Sequence, residues 1–191
     1  MSQAPVSLLG YALLGLLQQR PRSGYDLRKV FATTPLGSFS DSPGAIYPAL
    51  RRLEQENLVR SRVEKSAGLR RKRTFELTPR GLTALKDWLR RPLGRDDVVR
   101  GLDELMLRFA FMDAVLNAAA SMRFLQLLVK DLDAYIPTLH QYLDTHRSTM
   151  PLSGRLALES GIESYETLRR WATRALATYG KHSKQAAEKR R

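Results

Sequence analysis

With 191 residues, of which 43% are hydrophobic, the chain can bury one sizeable core or two small ones, and we expect two. It contains no cysteine, which excludes disulfides and thiolate metal sites and is compatible with a reducing compartment such as the cytoplasm. The net charge of +13 is uneven, because residues 1–95 hold 18 Lys and Arg against 7 Asp and Glu, whereas residues 96–191 hold 14 against 12. A basic surface of this kind favours a polyanion, either nucleic acid or an anionic membrane.

The first predicted helix, residues 7–19, is apolar on nearly all sides, which is typical of the central helix of a small domain. Its apolar run, residues 8–17, is too short to cross a bilayer, and no basic segment precedes it. We therefore expect neither a signal peptide nor a membrane anchor.

A second helix is predicted over residues 23–33, where Ser23 and Asp26 have the spacing of a helix cap. Its outward face carries Tyr25, Arg28 and Lys29, which could meet phosphates. Pro21-Arg22 predicts a tight break before this helix, and residues 34–41 predict a loop after it.

The next stretch, residues 42–58, has the two faces of a recognition helix. At helical spacing, Ile46, Leu50 and Leu53 form an apolar face, and the opposite face carries Tyr47, Arg51, Arg52 and Gln55. Ser42 is suited to cap this helix and Pro43 to its first position, but Pro48 removes one hydrogen bond and predicts a late start of the regular helix.

A basic hairpin is predicted after this helix. Residues 59–64 and 70–77 alternate as strands do, and residues 66–69 include the glycine of a turn. Its tip is crowded by Lys65, Arg70, Arg71, Lys72 and Arg73. A helix followed by a basic hairpin predicts a winged helix-turn-helix, closed by a fourth helix that starts at Thr78-Pro79 and stops at Pro92.

The remainder predicts helices only, at residues 102–112, 114–145 and 154–179, after a charged junction at residues 94–101. In the two long helices, apolar residues recur at alternating intervals of three and four, which is typical of a coiled-coil seam. They are Leu125, Leu128, Leu132, Tyr135, Leu139 and Tyr142 in one helix, and Gly161, Tyr165, Leu168, Ala172, Ala175 and Tyr179, widened by Trp171, in the other. Such helices bury little surface alone, so we predict a homodimer made by these residues.

Three segments resemble the PadR family of bacterial transcriptional regulators: Pro21 with residues 23–27, residues 44–54, and residues 74–81. The resemblance covers about residues 8–89, and the helical remainder is similar in length and charge to the C-terminal dimerisation domain of longer members. It implies a DNA-binding role for Gly44 and for the Tyr47 hydroxyl, as a phosphate donor. It also implies repression of a neighbouring gene and release from DNA by a small, often aromatic compound.

The predicted fold is mainly α, with a winged helix-turn-helix DNA-binding domain at residues 1–95, a helical dimerisation domain at 96–180 and a basic disordered tail at 181–191. We predict DNA contacts from Tyr25, Lys29, Gly44, Tyr47, Arg51, Arg52, Gln55, Lys65, Arg70, Arg71, Lys72 and Arg73. Runs of charged residues are usually solvated surface, but their position in a winged helix favours contact with DNA. The palindromic operator predicted for a dimer would place the recognition helices in successive major grooves.

Two further hypotheses concern small molecules and catalysis. Met106, Phe109, Met112 and Trp171 could line an effector pocket, although at helical spacing such residues are more often core. The histidines His140, His146 and His182 lack metal-ligand spacing, and neither a Gly-rich phosphate loop nor a nucleophile elbow is present in the sequence. We expect no cofactor and no enzyme; the alternative function is a non-catalytic RNA- or chromosome-binding basic protein.

Overall fold

The computed structural model describes residues 5–40, 42–65 and 71–188, with the side chains of residues 64, 65, 71, 72, 100 and 183–188 excepted. The chain divides into two compact units, Met1–Arg91 with Ala114–Leu116, and Pro92–Asp113 with Asn117–Arg191. The elements of the first unit are α1 (Leu8–Gln19), β1 (Arg22–Ser23), α2 (Gly24–Thr33), a 3-10 turn (Pro35–Ser38), α3 (Pro43–Gln55), β2 (Val59–Lys65), β3 (Arg71–Leu77) and α4 (Pro79–Arg90). Those of the second are α5 (Arg95–Arg100), α6 (Leu102–Val115), α7 (Ala118–His146) and α8 (Leu152–Glu188).

The first unit has a helical core closed by a small antiparallel sheet. The strand order is β1-β3-β2, with Val59 opposite Leu77 and Lys65 opposite Arg71 in the hairpin. The fully buried side chains come from all four helices and include Leu13, Leu14, Leu27, Phe31, Ile46, Leu50 and Leu85. The predicted hairpin and four helices are therefore confirmed, while its turn at residues 66–69 lies outside the described residues.

The capping residues begin the helices where the sequence predicts. Ser23 and Asp26 form a reciprocal capping box, in which the Asp26 amide donates to the Ser23 hydroxyl and the Ser23 amide to the Asp26 carboxylate. Ser42 accepts a hydrogen bond from the Gly44 amide at 3.2 Å, and α3 begins at Pro43 with Pro48 inside it. The prediction of a late start is wrong, because Pro48 removes one donor while the capped first turn still forms.

Sequence reasoning missed two short elements. Arg22 and Ser23, predicted as a break, pair with Phe75 and Thr74 as β1. Residues 95–100, predicted as part of a junction, form α5, where the Gly94 amide donates to the Asp97 carboxylate at 2.8 Å. Both have fewer residues than a hydrophobic period needs to be visible.

The second unit is built on α7 and α8, which pack against each other within one chain. The predicted seam residues Leu125, Leu128, Leu132 and Ala172 are fully buried in this single chain. Tyr135, Leu139, Tyr165, Leu168, Trp171 and Ala175 are half-buried. The prediction that this seam faces a second subunit is therefore wrong for its four buried members, because their periodic face is covered by the neighbouring helix of the same chain.

The ends of the long helices also differ from expectation. Helix α7 begins at Ala118 rather than at residue 114, because Asn117 caps it by accepting a hydrogen bond from the Ala120 amide at 2.9 Å. Helix α8 continues to Glu188, so the predicted disorder of residues 181–191 is wrong for residues 181–188. Across the described ranges, none of the helices is long and apolar enough to cross a membrane.

Candidate nucleic-acid interface

The outward face of α3 presents a row of polar side chains. Tyr47, Arg51 and Gln55 lie one turn apart and are exposed, as is the neighbouring Arg52. The opposite face of α3 is buried through Ile46, Leu50 and Leu53. The predicted division of this helix is confirmed, and the exposed row contains the hydroxyl, guanidinium and amide groups that contact phosphates and base edges in DNA.

Tyr47 is held in place by a contact that the sequence did not reveal. Its ring packs directly over Gly24 at the start of α2, so closely that a Cβ at position 24 would lie 2.4 Å from the Tyr47 Cε1. The side chain is nevertheless 41% exposed. Gly24 is therefore required here for close approach, and it leaves the Tyr47 ring supported on one side and accessible on the other.

The N-terminal part of α2 adds aromatic and basic groups to the same unit. Tyr25 is 63% exposed, and the guanidinium carbon of Arg28 lies 5.8 Å from the centre of its ring. Lys29 is exposed on the next turn, and Gly44 is exposed in the first turn of α3. These placements agree with the predicted outward face of α2.

The wing, defined here as β2 and β3 with their connection, is tied to α3 through one carboxylate. Arg73 Nη2 lies 2.6 Å from Glu54 Oε2, and Arg73 Nε donates to the Ser61 hydroxyl at 2.9 Å. The Ser61 hydroxyl in turn donates to Glu54 Oε1 at 2.6 Å. Arg73 also lies over the ring of Phe75, 5.3 Å from its centre. We call Glu54, Ser61 and Arg73 the wing tether.

The wing tether shifts the titration of its carboxylate. The hydrogen bond from Ser61 first, and then the hydrogen bond and charge of Arg73, lower the pKa of Glu54, against an opposing effect of burial. Arg73 was predicted from the sequence as a DNA contact in a basic run. In the structure its guanidinium also holds the wing against the end of α3, and the side chain remains exposed.

Two arginines on the wing were not singled out from the sequence. Arg60 and Arg62 both pair with Glu76, with their Nε atoms 2.5 Å and 3.0 Å from its Oε1, and both side chains are exposed. Of the predicted wing residues, Lys65, Arg71 and Lys72 have described backbone but not described side chains, and Arg70 lies outside the described residues. Together with Arg73, they are the wing cations whose side chains the structure describes.

Of the four residues predicted to line an effector pocket, two line a cavity in the second unit. Phe109 and Trp171 line a cavity of about 690 Å³ whose described lining comes from α6, α7 and α8. Met112 is instead buried in the core, and Met106 is half-buried and does not line this cavity. Among the residues that the structure describes, no group of three or more His, Asp or Glu side chains is placed to hold a metal ion.

Comparison with known proteins gives a family match within the first unit. Residues 13–87 match the model of the transcriptional regulator PadR-like family. Over 124 residues the chain is 35% identical to the negative transcriptional regulator PadR of Bacillus subtilis (strain 168). That alignment covers 64% of this chain and 66% of the relative, slightly under two-thirds of its length.

The chain belongs to the PadR-like family of transcriptional regulators. The segment that this PadR-like regulator shares with the family model contains α2, α3 and the wing. Solved structures that it resembles include Bacillus subtilis PadR in complex with operator DNA, at 27% identity and a TM-score of 0.44, over 92% of this chain and 99% of that one. Another is the same protein in complex with p-coumaric acid, at 25% identity and a TM-score of 0.42, over 94% and 99% of the two chains.

Proposed function

We propose that this PadR-like regulator is a repressor that binds a palindromic operator as a homodimer. The observation that carries the proposal is the exposed row Tyr47, Arg51 and Gln55 on a helix whose other face is buried and whose end is fastened to a basic wing. In the major groove, such a helix would place Tyr47 at a phosphate and Arg51 or Gln55 at base edges.

We assign DNA binding and dimerisation to different parts of the chain. Residues 1–95 bind DNA, residues 96–180 make the dimer, and Arg60 and Arg62 join Lys65, Arg70, Arg71 and Lys72 in meeting the phosphate backbone. Repression is supported by the curated relative, which is described as a negative regulator. We propose no catalysed reaction for this chain. We expect the regulator to act in the cytoplasm, where its DNA target would be.

The proposed dimer needs an apolar surface that one chain leaves open. On α8, Leu152 and Leu156 lie one turn apart and are 62% and 52% exposed. Large apolar side chains grouped on one helical face favour burial against a partner. We therefore assign the subunit contact to these exposed leucines, with the half-buried members of the predicted seam at its margin.

Release by a small molecule belongs to the same proposal. The relative from Bacillus subtilis has been solved with operator DNA and with p-coumaric acid. The 690 Å³ cavity is in the size range of small-molecule sites, which is about 300–1,000 Å³. A ligand there would act on the unit proposed to set the spacing of the two recognition helices.

Selection of bound sequences from a random duplex pool tests this function. The proposal expects enrichment of a single inverted repeat, and protection of a discrete symmetric site when that repeat is footprinted. Uniform coating of the duplex without an enriched repeat would contradict it and would support the alternative of a basic RNA- or chromosome-binding protein. Single-stranded RNA in the same assay is the matched competitor.

A further inference from the structure

The cavity in the second unit is formed mainly by aromatic side chains. Phe109 on α6 and Trp171 and Tyr179 on α8 contribute rings, and the small side chains of Ala118 and Ala175 leave the space between them open. At about 690 Å³ it exceeds what one or two waters need and suits a polycyclic organic molecule.

The rings are arranged around Phe109. Trp171 lies at 88° to it with 5.3 Å between ring centres, and Tyr179 lies at 80° with 6.4 Å between centres. Phe124 stacks on Phe109 at 6.1 Å and restrains it. Both rings thus stand nearly perpendicular to Phe109, and aromatic faces attract cations.

A carboxylate completes the wall of the cavity. Asp113 Oδ1 accepts a hydrogen bond from the Ser121 hydroxyl at 2.6 Å, and Oδ2 accepts one from the Tyr179 hydroxyl at 2.7 Å. A carboxylate has about four lone-pair positions, so these two bonds orient the group and leave acceptor capacity. Among the residues whose side chains the structure describes, Asp113 forms no ion pair.

Tyr179 is the donor in its hydrogen bond to Asp113. Burial first, and then the hydrogen bond to Asp113, raise the pKa of the Tyr179 hydroxyl. The phenol therefore stays protonated at neutral pH and donates a hydrogen bond to the carboxylate. Among the lining residues that the structure describes, the remaining titratable side chain is His182, which is exposed and has its Nδ1 2.9 Å from the carbonyl oxygen of Thr178.

We propose that this cavity binds a planar aromatic cation, with its positive charge against Asp113 and its rings against Trp171 and Tyr179. The same carboxylate repels aromatic carboxylates, so the preferred ligand class is opposite in charge to p-coumaric acid. Because the chain carries a net charge of +13, non-specific attraction favours anions, and a preference for cations identifies the local effect of Asp113. Binding of the cation does not depend on the proposed function. Control of DNA binding by that ligand does rest on the proposed function.

Two planar tricyclic dyes of opposite charge test the proposal with the full-length protein in the absence of DNA. Pyronin Y is a cation and resorufin is an anion, and fluorescence anisotropy gives the dissociation constant of each. We expect saturable binding of one pyronin Y per chain, at least about tenfold tighter than resorufin. Asp113→Asn should weaken pyronin Y at least about tenfold and should not weaken resorufin.

Control variants separate the charge from the fold. Ser121→Ala removes one hydrogen bond that orients Asp113 but keeps its charge, so it should weaken pyronin Y less than Asp113→Asn does. Asp144→Asn removes a carboxylate of α7 that does not line the cavity, so it should leave pyronin Y binding unchanged. Trp171→Leu should weaken pyronin Y by removing a ring face.

Several results would overturn the proposal. They are equal affinity for the two dyes, an unchanged affinity of Asp113→Asn for pyronin Y, equal losses in Asp113→Asn and Ser121→Ala, or absence of saturable binding. If the wild-type protein binds the operator but not pyronin Y, the proposed ligand site is excluded and the proposed function is not. If it binds pyronin Y but no operator, only the proposed function is excluded.

Discussion

The wing tether makes a quantitative prediction about coupling between two residues that are 19 positions apart in the chain. Glu54→Gln and Arg73→Met each remove one charge of the pair, and together they form a double-mutant cycle. The side chains of Arg73 and Glu54 are 51% and 30% exposed, so solvent screening limits the ion pair to about 0.2–1 kcal/mol. The shared hydroxyl of Ser61 contributes a net amount of similar size, about 0.5–1.5 kcal/mol, part of which both variants retain. We expect a coupling free energy of about 0.5–1 kcal/mol at pH 7.

Urea unfolding measures that coupling if one tryptophan reports on the first unit. Trp88 stacks on Tyr11 with 4.2 Å between ring centres, and a Trp171→Phe background leaves it as the single tryptophan. Because the pKa of Glu54 is lowered in the folded state, its stabilising contribution is present above the unfolded-state pKa and is lost as the pH falls through the folded-state value. The coupling should therefore disappear in acid.

Arg60→Met is the matched control for this cycle, since Arg60 lies in the same hairpin but pairs with Glu76. Combined with Glu54→Gln, it should show no coupling. A coupling of zero between Glu54 and Arg73 at pH 7, or an equal coupling of Glu54 with Arg60, would refute the assignment of the tether.

Three more predictions concern the interface and its support. Gly24→Ala should displace the Tyr47 ring and weaken operator and random DNA by similar factors, whereas Gly94→Ala, where a Cβ makes only an ordinary contact of 3.6 Å with Asp97 Oδ2, should change neither titration. Arg60→Ala with Arg62→Ala should reduce the slope of log K against log salt by roughly one to two units, and an unchanged slope would remove this part of the wing from the interface. Gly81→Ala should destabilise the first unit by about 1–3 kcal/mol in urea unfolding, because the new Cβ would lie 2.0 Å from the Leu58 carbonyl oxygen; unchanged stability would contradict that clash.

Local signals in the sequence were sufficient for most elements of the first unit. The capping roles predicted for Ser23 with Asp26 and for Ser42 are confirmed, because a cap involves residues only two or three positions apart. β1 has two residues and owes its existence to pairing with Phe75 and Thr74, far along the chain. A local pattern carries no information about such a partner.

The same limit explains what was missed at the candidate site. The outward row of α3 follows from helical periodicity alone and was predicted. The contact of Tyr47 with Gly24 and the pairing of Arg73 with Glu54 depend on how separate elements meet, so Arg73 was read as one member of a basic run. In the second unit, periodicity identified the buried face of Leu125 and Leu128 but could not tell whether another helix of the same chain or a second subunit covers it.

We propose that α3 reads DNA sequence through Arg51 while Tyr47 fixes its position on the backbone. The direct measurement is the specificity ratio, the affinity for the selected operator divided by that for a scrambled duplex at one salt concentration, for Arg51→Ala and Tyr47→Phe. We predict that Arg51→Ala costs about 1–3 kcal/mol on the operator and less on the scrambled duplex, so that the ratio falls. Tyr47→Phe should weaken both duplexes alike and leave the ratio unchanged. An intact ratio in Arg51→Ala together with a collapsed ratio in Tyr47→Phe would contradict the account.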